Sequence, residues 1–348
     1  MEKSQDTKLL PPFLCDHSQL ENNVEETDNG LCLNNVYIPE EIILHILAFV
    51  DPNELLKCSL VCRNWNKFIK SYTFWSTLYG RKYRDSKPKQ LPWYLFYCLL
   101  STNYFNNNLL KNGNGQEGFN HWNILFDGGN GFTIEDLPAG ADPLPLDLPE
   151  FQNQTSCFAT SYGTCRKSQK VQLGKSKLFR YILNSYKPHI YLSEWTAGRF
   201  DCGCIYKLRC ELVRSDKSEK YLSKPCAFHQ VNQWEGSTWE KIEITITEYP
   251  DDIEELIFEH DGRDTQYWAG HYGSKMAGGV LKLLFDSIEP LPTDESGREI
   301  AKMFSDVKYE TNGEKDIEEL HDGGCCHCGG MRRRRRIRRI VHIDNGDV

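Results

Sequence analysis

Residues 38–65 hold the densest apolar pattern of the chain and read IPEEIILHILAFVDPNELLKCSLVCRNW. In the first half, apolar side chains recur every three or four positions, which places them on one face of a helix. Pro39 suits the first turn of that helix, where its missing N–H leaves no bond unmade. Asp51 and Pro52 suit the N-cap and first position of the next helix. The stretch therefore predicts a series of short helices.

These helices are too short to bury their own apolar side chains. A unit of fewer than ~60 residues buries little surface and is marginally stable alone, so an apolar excess of this kind indicates a protein partner. The predicted contact residues are Ile38, Pro39, Ile42, Ile43, Ile46, Leu47, Leu55, Leu56, Val61, Cys62 and Trp65.

A different period begins after Leu109, where apolar and polar residues alternate. Alternation of this kind is typical of half-buried strands. The candidate strands are 122–126, 132–135, 158–162, 169–173, 189–195, 206–213, 242–246, 255–260 and 280–285. Turns with Gly and Pro separate them, which favours an antiparallel sandwich over a parallel α/β sheet. One helix, ending before Pro188, interrupts the series.

Composition limits the classes of function. The net charge is −8, and setting aside the seven arginines between 332 and 339 leaves −15 on the other residues, so no nucleic-acid partner is expected. The longest apolar run, 42–50, is far below the ~20 residues of a membrane span. The first residues lack the organisation of a secretion signal. We therefore expect a cytoplasmic protein, with the nucleus as the alternative, that has reduced cysteines and no cofactor.

The pattern divides the chain into five parts and predicts an α+β multidomain protein. Residues 1–35 read as a disordered leader, 36–82 as the helical module and 83–108 as a partly helical linker. Residues 109–288 read as the β-sandwich. Residues 289–348 read as a disordered tail with a Cys/His cluster and an arginine run.

Several motifs have plain structural explanations. Residues 174–176 read GKS but lack the earlier glycine of a phosphate loop. Residues 128–131 read GGNG and predict a hairpin loop. The cysteines of DCGC at 201–204, and the crowded CCHC at 325–328, do not have the spacing of one zinc site. Spacing reveals no catalytic triad or paired carboxylates, and no metal site is expected.

The string quoted for residues 38–65 closely resembles the F-box. The resemblance implies a three-helix module, and it implies that the module binds the Skp adaptor and through it a cullin ubiquitin ligase.

Residues 109–286 resemble the F-box-associated domain of the sugar-recognising F-box proteins. The motifs that carry this resemblance, besides 112–126, are DGGNGF at 127–132, EDLP at 135–138, TSYG at 160–163, DCGCIY at 201–206 and HDGRDTQYWAG at 260–270. The resemblance implies a sandwich similar to carbohydrate-binding modules, with loops at one end that hold the inner chitobiose of high-mannose N-glycans.

The resemblance also implies the residues of a glycan site. Tyr267 and Trp268 follow a strand between two glycines, where rings project from a loop and can stack on a sugar. The positions that match the family's further sugar contacts are Tyr162 and Asp201, although core packing and turn formation are alternatives for these two. Ala269 stands where some glycan binders of the family carry Lys, and His271 stands where the family usually has Trp, which predicts reduced or lost affinity.

The expected function is that of a non-catalytic substrate-recognition subunit of a Skp–cullin–F-box ubiquitin ligase. Its clients would be misfolded glycoproteins with high-mannose N-glycans, destined for ubiquitination and ER-associated degradation. The alternative is an F-box adaptor that recognises a protein surface independently of glycan. A lectin-like hydrolase would need a carboxylate pair around a glycosidic bond.

Overall fold

The computed structural model describes residues 30–33, 36–84, 88–215 and 225–291. Two compact units divide between Ser86 and Lys87. The predictions for the leader and the tail, including the Cys/His cluster and the arginine run, lie almost entirely outside the described residues. The predicted fold class, a small helical module followed by an antiparallel β-sandwich, is confirmed.

The first unit is helical, with a short β-ribbon before the helices. Its elements are β1 (Cys32–Leu33), β2 (Val36–Tyr37), α1 (Glu40–Leu47), α2 (Pro52–Cys58), α3 (Arg63–Ile69) and α4 (Tyr72–Lys82). The resemblance implied three helices, and α4 is a fourth. Ser71 caps it by accepting the Phe74 N–H, and its buried face includes Trp75 and Tyr79. It occupies the last part of the helical module predicted over 36–82.

Local capping explains where the helices of this unit begin. The Asp51 carboxylate accepts the Asn53 N–H at 2.8 Å, and Pro52 opens α2, as predicted. Pro39 precedes α1 at its N-cap position. The Cys62 thiol caps α3 by accepting the Trp65 N–H. No helix within the described residues is long and apolar enough to cross a bilayer.

The second unit is a two-sheet sandwich with two helices. Its elements are α5 (Trp93–Ser101), β3 (Asn123–Asp127), β4 (Thr133–Glu135), β5 (Cys157–Ala159), β6 (Cys165–Gln172), α6 (Lys177–Tyr186), β7 (His189–Ala197), β8 (Cys204–Arg214), β9 (Cys226–Val231), β10 (Glu240–Ile246), β11 (Ile253–Asp264) and β12 (Lys275–Leu284). All the candidate strands exist, within a few residues at each end. β9 was missed because it is an edge strand with little burial on either face.

The two sheets are ordered in the same way. One sheet runs β3-β6-β11-β8-β9 and the other runs β4-β5-β12-β7-β10, and all described strand pairs are antiparallel. The successive pairs β3/β4, β5/β6, β7/β8, β9/β10 and β11/β12 therefore each hold the same position in opposite sheets. The GGNG loop at 128–131 is one such crossing, so the predicted hairpin is wrong: β3 pairs with β6, and β4 with β5.

The predicted linker at 83–108 also differs from the structure, because α5 packs into the second unit. The Tyr94 and Tyr186 hydroxyls are hydrogen-bonded at 2.5 Å, and the Phe96 ring packs against Phe285 at 5.7 Å between centroids. Burial of this apolar helix on α6 and the sandwich outweighs the polar, Asn-rich composition that suggested a connector.

Four polar side chains meet in the sandwich interior and are fully buried. They are Lys167, Glu194, Tyr206 and His260. The Tyr206 hydroxyl donates to Glu194 Oε2 at 2.5 Å, and His260 Nδ1 bonds to the same oxygen. Lys167 Nζ lies 3.6 Å from the centroid of the Trp122 ring and has no hydrogen-bond partner among the described residues.

Burial determines the protonation of this cluster. It lowers the pKa of His260 and lowers that of Lys167 well below the usual range, in each case against the opposing attraction of Glu194. Burial also raises the pKa of Tyr206 well above its usual range, and the Glu194 charge adds to that effect. Because the charged forms of His260 and Lys167 are disfavoured in the folded protein, acid pH favours the unfolded chain.

We expect the thermal unfolding midpoint of the second unit to fall as the pH is lowered from about 7 to about 5.5. Below the usual His pKa of 6.5 the unfolded chain takes up a proton at His260 that the folded chain excludes, which costs up to ~1.4 kcal/mol per pH unit. His260→Asn should flatten the dependence measured by calorimetry in this window. His121→Asn, at an exposed histidine of the same unit, should leave it unchanged. Identical slopes in all three proteins would contradict this assignment.

Candidate functional site

Five loops cross between the two sheets at one end of the sandwich, which we call the loop end. Strand register establishes this placement: Cys204 pairs with both Asp264 and Val231 in one sheet, and Lys275 pairs with Ala197 in the other. These pairs all lie beside a crossing. The loops of the loop end are 128–132, 160–164, 198–203, 232–239 and 265–274.

Tyr267 and Trp268 project from the loop at 265–274, which we call the central loop because it joins the central strands of the two sheets, β11 and β12. Their rings are 67% and 38% exposed, and Tyr267 adopts the left-handed backbone conformation, with φ of 59°. Asp264, fully buried at the end of β11, accepts the Tyr267 N–H at 2.6 Å and the Trp268 N–H at 3.1 Å. One buried carboxylate therefore fixes the backbone that presents both rings.

A chain of contacts joins Asp201 to Trp268. Asp201 Oδ1 accepts Arg199 Nε at 2.7 Å, and the guanidinium carbon lies 4.7 Å from the centroid of the Tyr272 ring. Tyr272 meets the Trp268 ring edge-on, at 5.6 Å between centroids. Asp201 is thus engaged by Arg199, and its influence on the tryptophan runs through two intermediate side chains.

The loop at 128–132 is tied to the central loop by hydrogen bonds. Asn130 Oδ1 accepts the Gly270 N–H at 2.8 Å. Ser161 Oγ accepts the Asn130 N–H at 2.9 Å and donates to the Gly270 carbonyl at 2.7 Å. Gly129 has φ of 68°, and a Cβ there would lie 2.8 Å from the backbone N of Gly163. Three loops are therefore packed into one rigid framework.

The predicted site residues all lie at the loop end, but they are not in one contact network. Trp268 is linked to Asp201 through Arg199 and Tyr272, as described above. Tyr162 is half-buried, and its ring packs close to Gly129, where an added Cβ would lie 3.1 Å from the ring. Sequence reasoning missed Arg199, because a single arginine two residues before an aspartate carries no signal until the loop brings it against an aromatic ring.

Ala269 and His271 lie in the same loop as Gly270, beside this framework. Ala269 is exposed. His271 is half-buried, with Nε2 3.4 Å from the Asn130 carbonyl oxygen, so it contacts the 128–132 loop. His271 therefore joins the central loop to the 128–132 loop, whereas Ala269 offers no hydrogen-bond donor in its side chain.

The cysteines beneath the loop end are buried packing residues. Burial, with the charges of Asp264 and Asp201, raises the pKa of Cys202 to about 11, and burial raises the pKa of Cys204 to about 12. Both thiols are therefore protonated near neutral pH, whereas metal binding and nucleophilic attack need the thiolate. Within the part of the chain that the structure describes, no group of three or more His, Cys, Asp or Glu side chains is arranged to hold a metal ion.

The predicted contact residues of the helical unit divide by burial. Ile43, Leu47 and Leu55 lie in its core, so they cannot form a docking surface in the folded protein. Half-buried residues are Ile38, Leu56, Cys62 and Trp65, and exposed residues are Pro39, Ile42, Ile46 and Val61. Phe49, just after α1, is 75% exposed, more than any large apolar side chain of α1 itself. The sequence pattern did not identify it as a contact residue.

The two units together define a multidomain protein with a small helical module that exposes apolar side chains and a β-sandwich that exposes aromatic rings on its loops. The F-box associated region matches residues 100–283, and the F-box-like family matches residues 36–81. The chain belongs to the family of F-box proteins with an F-box associated region.

Several curated relatives are similar over most of their length. The chain is 35% identical to F-box only protein 6 of Homo sapiens over 70% of this chain and 82% of that protein. It is 31% identical to F-box only protein 44 of Homo sapiens over 71% of this chain and 95% of that protein. Against F-box only protein 27 of Mus musculus the identity is 30%, over 72% and 91%.

Solved structures similar to the sandwich are more distant. One is TmCBM61 in complex with β-1,4-galactotriose, with a TM-score of 0.33 and 14% identity over 51% of this chain and 99% of that chain. Another is the CBM22-1 xylan-binding domain of Paenibacillus barcinonensis Xyn10C, with a TM-score of 0.28 and 12% identity over 52% and 97%.

We expect Asp264→Ala to lower the free energy of unfolding of the second unit by about 2 kcal/mol, because two backbone N–H groups lose their acceptor. Chemical denaturation of the full chain measures this change. Glu240→Ala removes an exposed carboxylate of the same unit and should change stability by less than about 0.5 kcal/mol. Equal stability of the two variants would show that Asp264 does not organise the loop.

Proposed function

We propose that this protein is the substrate-recognition subunit of a Skp–cullin–F-box ubiquitin ligase. The helical unit binds the Skp adaptor, and the loop end binds N-linked high-mannose glycans of misfolded proteins. The clients are then ubiquitinated and degraded by the proteasome in ER-associated degradation. The chain acts in the cytoplasm and catalyses no step itself. Its contribution is to hold the client close to the transfer machinery.

The pair of exposed rings on the central loop is the observation that carries the glycan part of this proposal. An aromatic ring can stack on the C–H face of a sugar, while its polar atom bonds the sugar's hydroxyl edge. The Tyr267 oxygen accepts Arg263 Nη1 at 3.1 Å, which leaves its own O–H free to donate. Asp264 fixes the loop before the ligand arrives, and this reduces the entropy lost on binding.

The apolar surface of the helical unit supports the adaptor part. Phe49 and Ile46, at the end of α1, and Val61, before α3, remain exposed although the unit has a buried core. Exposed apolar side chains in a small module are typical of a surface that a partner covers. Half-buried Trp65 donates from its indole N to the Gly30 carbonyl at 2.8 Å. We therefore expect Trp65 to stabilise the backbone beneath this surface.

We expect Ile46→Asp combined with Phe49→Asp to abolish co-purification of the full chain with a Skp adaptor. Both side chains are exposed, so the double variant should remain folded while the apolar surface gains two charges. Phe228→Asp, at an exposed ring of β9 in the other unit, is the matched control and should retain the adaptor.

Circular dichroism separates loss of binding from loss of folding. Leu47→Asp, at a buried position, should reduce helical content, unlike the exposed double variant. Undiminished adaptor binding by a folded Ile46→Asp/Phe49→Asp protein would place the docking surface elsewhere on the helical unit.

We expect Trp268→Ala to lower the affinity of the full chain for chitobiose at least tenfold, a change that corresponds to ~1.4 kcal/mol. A large ring at the centre of a binding site can contribute that much. Saturation-transfer NMR with millimolar chitobiose measures the affinity, and Phe228→Ala is the exposed-ring control.

The outcomes of this titration separate the alternatives. Equal affinity of Trp268→Ala and wild type would move the glycan site away from the central loop. A wild type that does not bind chitobiose would exclude glycan recognition at the loop end. If such a protein still captured a client stripped of glycan, an adaptor for protein surfaces would be the function.

A further inference from the structure

Trp234 is an exposed tryptophan in an unusual backbone conformation. It lies in the loop at 232–239, its side chain is 69% exposed, and its φ is 69°. Bulky side chains rarely adopt positive φ. The indole ring makes no hydrogen bond or ring contact with any residue that the structure describes. Neither packing nor local bonding of the ring explains why a tryptophan stands here.

Trp234 shares its exposure and its positive φ with one other residue, Tyr267. Among the described residues these are the two Phe, Tyr or Trp residues with positive φ, and both are strongly exposed. Strained backbone costs ~1–3 kcal/mol and is concentrated at functional sites. Tyr267 belongs to the proposed glycan site, and Trp234 is at the same end of the sandwich.

The loop that presents Trp234 is held on both sides. The Asn232 side chain donates to the Glu235 carboxylate at 2.7 Å, and the Glu235 N–H donates to the Asn232 carbonyl at 3.2 Å. The loop also abuts the neighbouring crossing, because a Cβ on Gly203 would lie 3.0 Å from the backbone N of Gln233. These bonds hold the turn that carries the ring, and the same turn carries an amide and a carboxylate that can bond hydroxyl groups.

The separation between Trp234 and Trp268 sets the size of a ligand that could contact both rings. Trp268 follows β11, whereas Trp234 follows β9, two strand positions away, which is roughly 10 Å at ordinary strand spacing. The crossing between them, after β7, carries Phe200, which is 51% exposed. Single rings separated by polar side chains thus occur on three neighbouring loops. This pattern suits a chain of sugars better than a protein partner, which would favour a continuous apolar patch.

We propose that Trp234, with Phe200, forms an outer subsite for the sugar units of an oligosaccharide beyond the two that contact Tyr267 and Trp268. The inference rests on the proposed glycan function and extends it from a disaccharide to a longer N-linked glycan. The Trp234 ring stacks on the C–H face of an outer sugar, and the neighbouring Asn232 and Glu235 side chains bond its hydroxyls.

The test compares two probes on the full chain, chitobiose and a free high-mannose N-glycan. Trp234→Gly removes the ring while keeping a residue that tolerates positive φ. We expect it to lower affinity for the high-mannose glycan about fivefold, which corresponds to ~1 kcal/mol, and to leave chitobiose affinity unchanged. Trp234→Tyr should retain most of the affinity, and Phe228→Ala should match wild type with both probes.

The remaining outcomes each overturn the outer subsite. A loss of equal size for both probes would make Trp234 part of the inner site, and no loss for either would leave the ring without a role in sugar binding. A loss seen with a glycoprotein but not with its free glycan would assign Trp234 to the polypeptide. If wild type binds neither probe, the glycan function itself fails; if wild type binds both and Trp234→Gly is indistinguishable from it, only the outer subsite fails.

Discussion

The matching strand order of the two sheets is the constraint on which the rest of the sandwich depends. β11 and β12 hold the same position in opposite sheets, as do β3/β4, β5/β6, β7/β8 and β9/β10. Because neighbouring strands are antiparallel, the five crossings between these pairs meet at one end. Backbone pairing thereby collects residues that are more than 100 positions apart, such as Asn130 and Gly270, into one framework. The aromatic rings of the candidate site depend on that framework for their direction.

A buried carboxylate holds the central loop in the conformation that exposes its two aromatic rings. Asp264 sits below the central loop and uses both oxygens on backbone N–H groups, so the loop needs no apolar side chain turned inward to hold it. Tyr267 and Trp268 are consequently left for the solvent side. The positive φ of Tyr267 is tolerated because Asp264 holds its loop, and that of Trp234 because the bonds between Asn232 and Glu235 close its turn.

The two units expose apolar side chains in different ways. On the helical unit, Ile46 and Phe49 are neighbours near the end of one helix, which suits a protein partner that covers a continuous surface. At the loop end, rings stand singly among polar side chains such as Arg199 and Asp201, which suits a ligand with alternating apolar faces and hydroxyl edges. In the second surface Ala269 has no hydrogen-bond donor in its side chain, and His271 contacts Asn130.

Sequence alone determined the helical start at Asp51–Pro52, the alternating strands and the aromatic pair at 267–268, because these depend on neighbours within one helical turn or one strand. It could not determine that α5 packs into the second unit, that the GGNG loop crosses between sheets, or which apolar residues of α1 face inward. Those features depend on partners distant in the chain. The joining of Arg199 to Tyr272, and the placing of Trp234 at the same end as Trp268, were likewise decided by the tertiary structure, since only strand pairing fixes which loops are adjacent.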